Sequence, residues 1–237
     1  MQTTQPPIGQ FLRSAAMMII AGVTIAPAPA LAADLAVSFG KSEPGRMLPP
    51  QNAACLMRQG KFRAGANESP SISWSKGPAG TKSYALTMID PDVPVDRSGF
   101  NKESVVIAET APRETFVHWV LADIPADFNH LPQAIDGNGL VKSGLPLKRT
   151  DHGRRGQNGF GEGSLKNGPQ GGYHGACPPW NDQRIHHYRV TLYALDVENL
   201  ALPEAFTAAD LMKAADGHIL SSGTAELRYT MNARARE

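Results

Sequence analysis

Four stretches of the chain alternate apolar and polar side chains with the two-residue period of a half-buried strand. In Ser83 to Asp90, one face carries Tyr84, Leu86, Met88 and Asp90. In Phe116 to Ile124, the period groups Phe116, His118, Val120 and Ala122 against Trp119 and Leu121. His186 to Ala194 places His186, Tyr188, Val190 and Leu192 in phase, and Ala225 to Met231 sets Leu227 and Tyr229 against Glu226 and Arg228. Only one helix is punctuated: Thr207 and Asp210 form a capping box with Asp in the usual Glu position, and Leu211, Met212 and Ala215 make a stripe before Gly217. Short strands between Gly/Pro turns predict a mostly β fold, an antiparallel sandwich rather than a doubly wound parallel sheet.

Upstream the pattern changes. Ser14 to Ala26 carries no charge, follows Arg13, and leads through prolines to Ala30-Leu31-Ala32. A membrane span needs about 20 apolar residues, so this run is too short to cross a bilayer. It predicts a secretory signal peptide over residues 1–32, cleaved near Ala32, and a single domain over 33–237 that is periplasmic or secreted. The alternative, a buried N-terminal helix, is disfavoured by Pro27 and Pro29.

The 237 residues carry 23 Lys and Arg against 22 Asp and Glu. Arg13 is the one charged side chain of the leader, so the remainder is formally neutral. Neutrality argues against nucleic acid as a partner, because phosphate contacts need a basic excess. Export implies an oxidising compartment, in which Cys55 and Cys177 could form one disulfide; the alternative is two buried thiols.

Three constellations could do chemistry. Asp90-Pro91-Asp92-Val93-Pro94 reads as a stiff turn closing its strand, with both carboxylates held in nearly fixed directions. His118 interrupts an apolar strand and needs a partner if buried. Gly171 to Tyr188 combines a Gly-rich turn, in which Gly175 could bring backbone N–H groups to an anion, with His186 and Tyr188 in phase on one strand. Each has an ordinary reading as a solvated turn, a core histidine or a simple loop. Together they predict a small polar pocket.

DPDVP at 90–94, HWVLADIPAD at 118–127, GACPP at 175–179 and HHYRVTLYALD at 186–196 resemble the phosphatidylethanolamine-binding protein family, also called the Raf kinase inhibitor-like family. Exported bacterial members with a Cys in the G-x-C-P-P motif are the nearest resemblance. It implies an antiparallel β-sandwich with one or two peripheral helices and a shallow pocket for phosphate or a phospholipid head group. Carried over, the pocket is Asp90, Asp92, Pro94, His118, Gly175, His186 and Tyr188, with Asp90 orienting a histidine. The resemblance implies no metal, no cofactor and no catalysis, and membrane association that is at most transient.

Alternatives from other classes are an inhibitor acting on a protease or kinase through surface loops, and a hydrolase with His118 or His186 as base. No G-x-S-x-G elbow and no zinc-type spacing supports the latter. Three features depart from the family pattern. The segment between Pro94 and His118 is long, and its Val105-Val106-Ile107 core suggests a hairpin or flap. Cys55 lies far ahead of Asn67. The loop from Ile135 to Gly172 holds Lys148, Arg149, Arg154 and Arg155, a basic cluster that could steer an anion.

Overall fold

Eleven strands, one α-helix and one short 3-10 turn, Pro50–Asn52, form in the described part of the chain, which in this computed structural model comprises residues 1–2, 34–40, 45–160 and 170–236. The expected leader lies almost wholly outside the described residues. All the elements belong to one unit, Ala32–Glu237.

In chain order the elements are β1 (Val37–Phe39), β2 (Cys55–Arg58), β3 (Lys61–Ala64), β4 (Ile72–Trp74), β5 (Ser83–Pro94), β6 (Arg113–Pro125), β7 (His130–Leu131), β8 (Arg149–Thr150), β9 (Gly153–Arg155), β10 (His186–Leu195), α1 (Ala208–Ala215) and β11 (Ile219–Tyr229). A six-stranded antiparallel sheet runs β11-β10-β5-β6-β9-β8, a three-stranded sheet runs β1-β4-β7, and β2 and β3 form a separate hairpin. The fold is mostly β, as the alternating pattern predicts.

The two faces of the large sheet are both covered. Leu86, Met88, Trp119, Leu121, Tyr188, Val190 and Leu192 pack in one cluster with Phe39, Ile72, Trp74 and Leu131 of the small sheet. On the opposite face, Ala85, Val120, Ala122 and Leu195 meet Phe206 and the Leu211 and Ala215 stripe of α1. Each such side chain, fully buried, contributes about 1.5–3 kcal/mol for the larger apolar residues. The helix begins as expected, with Thr207 Oγ1 accepting from the Asp210 N–H and the Asp210 carboxylate accepting from the Thr207 N–H.

Strict alternation fails at three bulges, and these shape the site. Met88 pairs with Trp119 but Ile89 pairs with Val117, so His118 is an extra residue on β6. The bulge moves His118 from the Val120 face, where the period places it, to the face of Trp119 and Tyr188. A second bulge follows between Tyr84 and Leu86, where Asp123 takes a left-handed φ of 54°. The third sets Asp90 and Val93 opposite Phe116 and Glu114. Asp-Pro-Asp is therefore not a terminal turn: β5 continues to Pro94, and the prolines sit where a bulged ladder lacks regular bonds.

The segment between β5 and β6 forms turns rather than a hairpin. Its Ile107 bridges Asp182 instead, donating to the Asn181 carbonyl and accepting from the Gln183 N–H.

Candidate functional site

The central strands β10, β5 and β6 lie side by side, so their polar ends converge. Asp90 and Asp92 come from β5, His118 from β6, and His186, His187 and Tyr188 from the start of β10. At the centre is His186, wholly buried. Its Nδ1 donates to Asp90 Oδ2 at 2.7 Å and its Nε2 to Asp182 Oδ2 at 3.1 Å. An acceptor at each ring nitrogen requires a proton on both, so the ring is an imidazolium. Burial pushes its pKa down, but the two carboxylates outweigh burial and raise it to about 9.

Asp182 is shared. Arg113 Nη1 donates to its Oδ2 at 2.5 Å and Nη2 to its Oδ1 at 3.0 Å. Burial pushes the Asp182 carboxyl up, yet bonds from His186 and Arg113 hold it below the usual carboxylate range. The rest of the Arg113 fork ties down the inserted segment through the carbonyls of Ala108, Glu109 and Ala111, and that of Asp92.

Asp92 forms a second layer. Its Oδ1 accepts from Arg184 Nε at 2.6 Å, and its Oδ2 accepts from His187 Nδ1 at 2.7 Å and the His187 N–H at 2.9 Å. Burial opposes its ionisation, but those donors lower its pKa. Asp90 Oδ1 in turn accepts the Asp92 N–H at 2.8 Å. Tyr188 is buried close to Asp90, and burial and that carboxylate together push the phenol well above 10.

His118 differs from His186. Its Nδ1 donates to the His174 carbonyl at 2.6 Å, which fixes the neutral tautomer with a lone pair on Nε2. Burial holds its pKa below the ordinary value, against the pull of Asp90. Phe116 and Tyr188 pack edge-on against the ring, at 5.1 and 5.2 Å between centroids. His174, whose ring lies 3.9 Å from Phe160, is lowered to about 4 by burial and by His118. Among the described residues, Nε2 of His118 has no hydrogen-bond partner. The ring itself is buried, with His118 4% exposed.

The structure thus brings together Asp90, Asp92, His118, His186 and Tyr188. It does not bring Gly175 in as a donor: the Gly175 N–H donates to Asn67 Oδ1 at 2.7 Å. A side chain there would collide with the Asn52 carbonyl and lie 2.8 Å from Ala54 N, so glycine is required by close backbone approach. Pro94 lines a separate cavity with Val95, Val105, Ile107 and Pro112, about 300 Å³ in volume.

Three of the four members of the basic cluster are engaged within the protein, while Lys148 stays exposed. Arg149 pairs with Asp123 at 2.7 Å and Arg155 with buried Asp136 at 2.5 Å, while Arg154 donates to the Leu202 and Pro203 carbonyls. Asp136 also accepts from Trp119 Nε1 and His152, which makes it the hub of a structural network.

Cys55 and Cys177 are joined, linking β2 to the loop that follows His174. Among the described residues, no group of three or more His, Cys, Asp or Glu is arranged to hold a metal. Sequence reasoning missed Arg113, Asp182, Arg184, His187 and His174. The signals were the doubled His186-His187, of which one ring was considered, and Asp182 four positions earlier.

The family model described as phosphatidylethanolamine-binding protein matches residues 40–230. The Escherichia coli strain K12 protein called UPF0098 protein YbhB is 33% identical over 147 residues, covering 61% of this chain and 70% of that one. UPF0098 protein YbcL of the same strain is 33% identical over 136 residues, 57% of each chain. The crystal structure of E. coli YbcL, described as a new member of the mammalian PEBP family, superposes with a TM-score of 0.59 at 26% identity. It covers 84% of this chain and 99% of that one. A Chlamydia trachomatis homologue, CT736, matches in fold with a TM-score of 0.56 at 24% identity, over 83% of this chain and 97% of its own.

Proposed function

The chain belongs to the phosphatidylethanolamine-binding protein family, and from that premise we propose an exported binding or regulatory protein of its Raf kinase inhibitor-like branch. It holds a small anion or phosphorylated ligand, such as phosphate or a phospholipid head group, at His118 and performs no chemistry on it. The charge-free run at Ser14 to Ala26 supports export, and the Cys55–Cys177 disulfide suits an oxidising compartment.

The observation that carries the binding site is the unpartnered Nε2 of His118, among the described residues, beside donors that are otherwise occupied. His186, Arg113 and the Gly175 N–H all have acceptors within the protein. A ligand therefore meets a lone pair, and a hydrogen must come with it. Either the ligand is a singly protonated phosphate or phosphomonoester whose P–OH donates to Nε2, or His118 takes up a proton as the anion arrives. Both routes favour binding as pH falls, the first of them below the second pKa of a phosphomonoester, about 6.

The same geometry removes His186 as a hydrolytic base, because an imidazolium held between two carboxylates has no lone pair to accept a proton.

Titration calorimetry with phosphate and phosphoethanolamine between about pH 5 and pH 8, a range that brackets this ionisation, tests the reading. Affinity should rise as pH falls, with proton uptake visible as a buffer-dependent heat, and His118→Ala should abolish it. No binding at millimolar ligand and no thermal stabilisation would remove the site assignment.

A further inference from the structure

The β2–β3 hairpin stands apart from the sheets, and its charge is of one sign. No Asp or Glu occurs between Arg46 and Asn67, whereas Arg58, Lys61 and Arg63 crowd the hairpin. Six other arginines, Arg97, Arg113, Arg149, Arg155, Arg184 and Arg189, each have a carboxylate within 4.0 Å. Among the described residues, Arg58, Lys61 and Arg63 have none. The next acid, Glu68, is engaged by Gln133.

The register makes the hairpin two-faced. Arg58 pairs with Lys61 and Leu56 with Arg63, which sets the three cations on one face. Met57 pairs with Phe62 on the other, and Phe62 is 44% exposed. Met47 is a further exposed apolar side chain in the same acid-free stretch, at 47%. The turn is tight, with Gln59 and Gly60 both left-handed at φ 50° and 70°.

Its base is fixed. Cys55 is bonded to Cys177, the Tyr229 hydroxyl donates to the Cys55 carbonyl, and the Gly65 N–H donates to the Ala54 carbonyl. Open grooves of about 440 and 520 Å³ flank it; both include Arg58, one adds Arg63, and neither has a carboxylate in its lining.

We propose that this hairpin docks the protein on an anionic phospholipid surface. The pairing of cations with an exposed aromatic and a thioether on a rigid projecting element fits a bilayer interface, where phosphates lie directly above hydrocarbon. Arg58, Lys61 and Arg63 meet head-group phosphates, and Phe62 and Met57 rest at the acyl boundary. An acidic protein offers the charge but not the apolar layer beneath it. Three cations and one ring give weak, reversible attachment that salt screens. The proposal is independent of the His118 site.

Co-sedimentation of the full chain with vesicles of phosphatidylcholine, with and without phosphatidylglycerol, tests it. The readout is the part of the partition that depends on phosphatidylglycerol. That part should fall as salt rises, drop on the order of a hundredfold in Arg58→Glu/Lys61→Glu/Arg63→Glu, and drop several-fold in Phe62→Ala. The melting temperature of each variant confirms folding, and a charge reversal on the exposed face of α1, Lys213→Glu, should sediment as the parent does. No phosphatidylglycerol-dependent partition, an unchanged partition in the folded triple variant, or binding to polyglutamate or single-stranded DNA in preference to vesicles would overturn the proposal.

Discussion

Asp182 Oδ2 lies 3.1 Å from His186 Nε2 while the same carboxylate holds Arg113, so one acid serves two buried cations. Asp182→Asn keeps the shape and removes the charge. Breaking one partner of a buried ionic cluster costs about 3–5 kcal/mol. The variant should lose stability of that order in urea unfolding, and the His186 ring should titrate well below about 9 by NMR. Wild-type stability together with an unshifted His186 would mean that Asp90 alone holds the imidazolium.

Stability should peak near pH 6.5, because the histidines of the site titrate in opposite directions on folding. His186 is raised from 6.5 to about 9, so its contribution is complete below 6.5 and is lost as pH rises towards 9. His174 is lowered to about 4, and His118 is lowered as well. Unfolding between pH 6.5 and 4 therefore takes up protons, and stability falls as pH drops. Chemical denaturation across this range should show both limbs. His186→Gln should flatten the alkaline limb, and His174→Gln should flatten part of the acid one. A monotonic profile would contradict the assignment of one charged and two neutral rings.

Much of the architecture was legible because it depends on local period. Tyr84, Leu86 and Met88, and Tyr188, Val190 and Leu192, fall on the face that the alternation gives them, and the Thr207–Asp210 cap is a three-residue signal. His118 was put on the wrong face because a bulge changes phase without changing composition. Arg113 and Asp182 were missed because their pairing spans 69 residues and leaves no mark in either neighbourhood. Gly175 was read as a ligand donor although its constraint comes from backbone at Asn52 to Ala54, far away in sequence. Arg155 looked like surface charge, since nothing nearby shows that Asp136 lies buried against it.

That glycine offers a separable test. In Gly175→Ala the new methyl group meets the Asn52 carbonyl and the Ala54 nitrogen, neither of which can move without shifting β2. Overpacking of this kind costs typically about 1–3 kcal/mol. The expected outcome is a lower melting temperature with phosphate affinity retained in the folded protein. Loss of affinity at unchanged stability would restore Gly175 to the ligand site.

The Cys55–Cys177 bond closes a loop of 122 residues in sequence, so its main effect is expected in the unfolded chain. The chain-entropy relation gives roughly 5 kcal/mol for a loop of this size. Cys55→Ser/Cys177→Ser should lose stability of that order, and a thiol reductant should produce the same loss in the parent protein. The joined segments also share backbone bonds, with the N–H groups of Ala54 and Cys55 both donating to the Ala176 carbonyl at 2.9 and 3.3 Å. These bonds survive reduction and keep the His174 carbonyl, and with it the His118 tautomer, in place. Ligand affinity of the folded double variant should therefore stay close to that of the parent. A collapse of affinity in a protein that still folds would show instead that the disulfide positions the site.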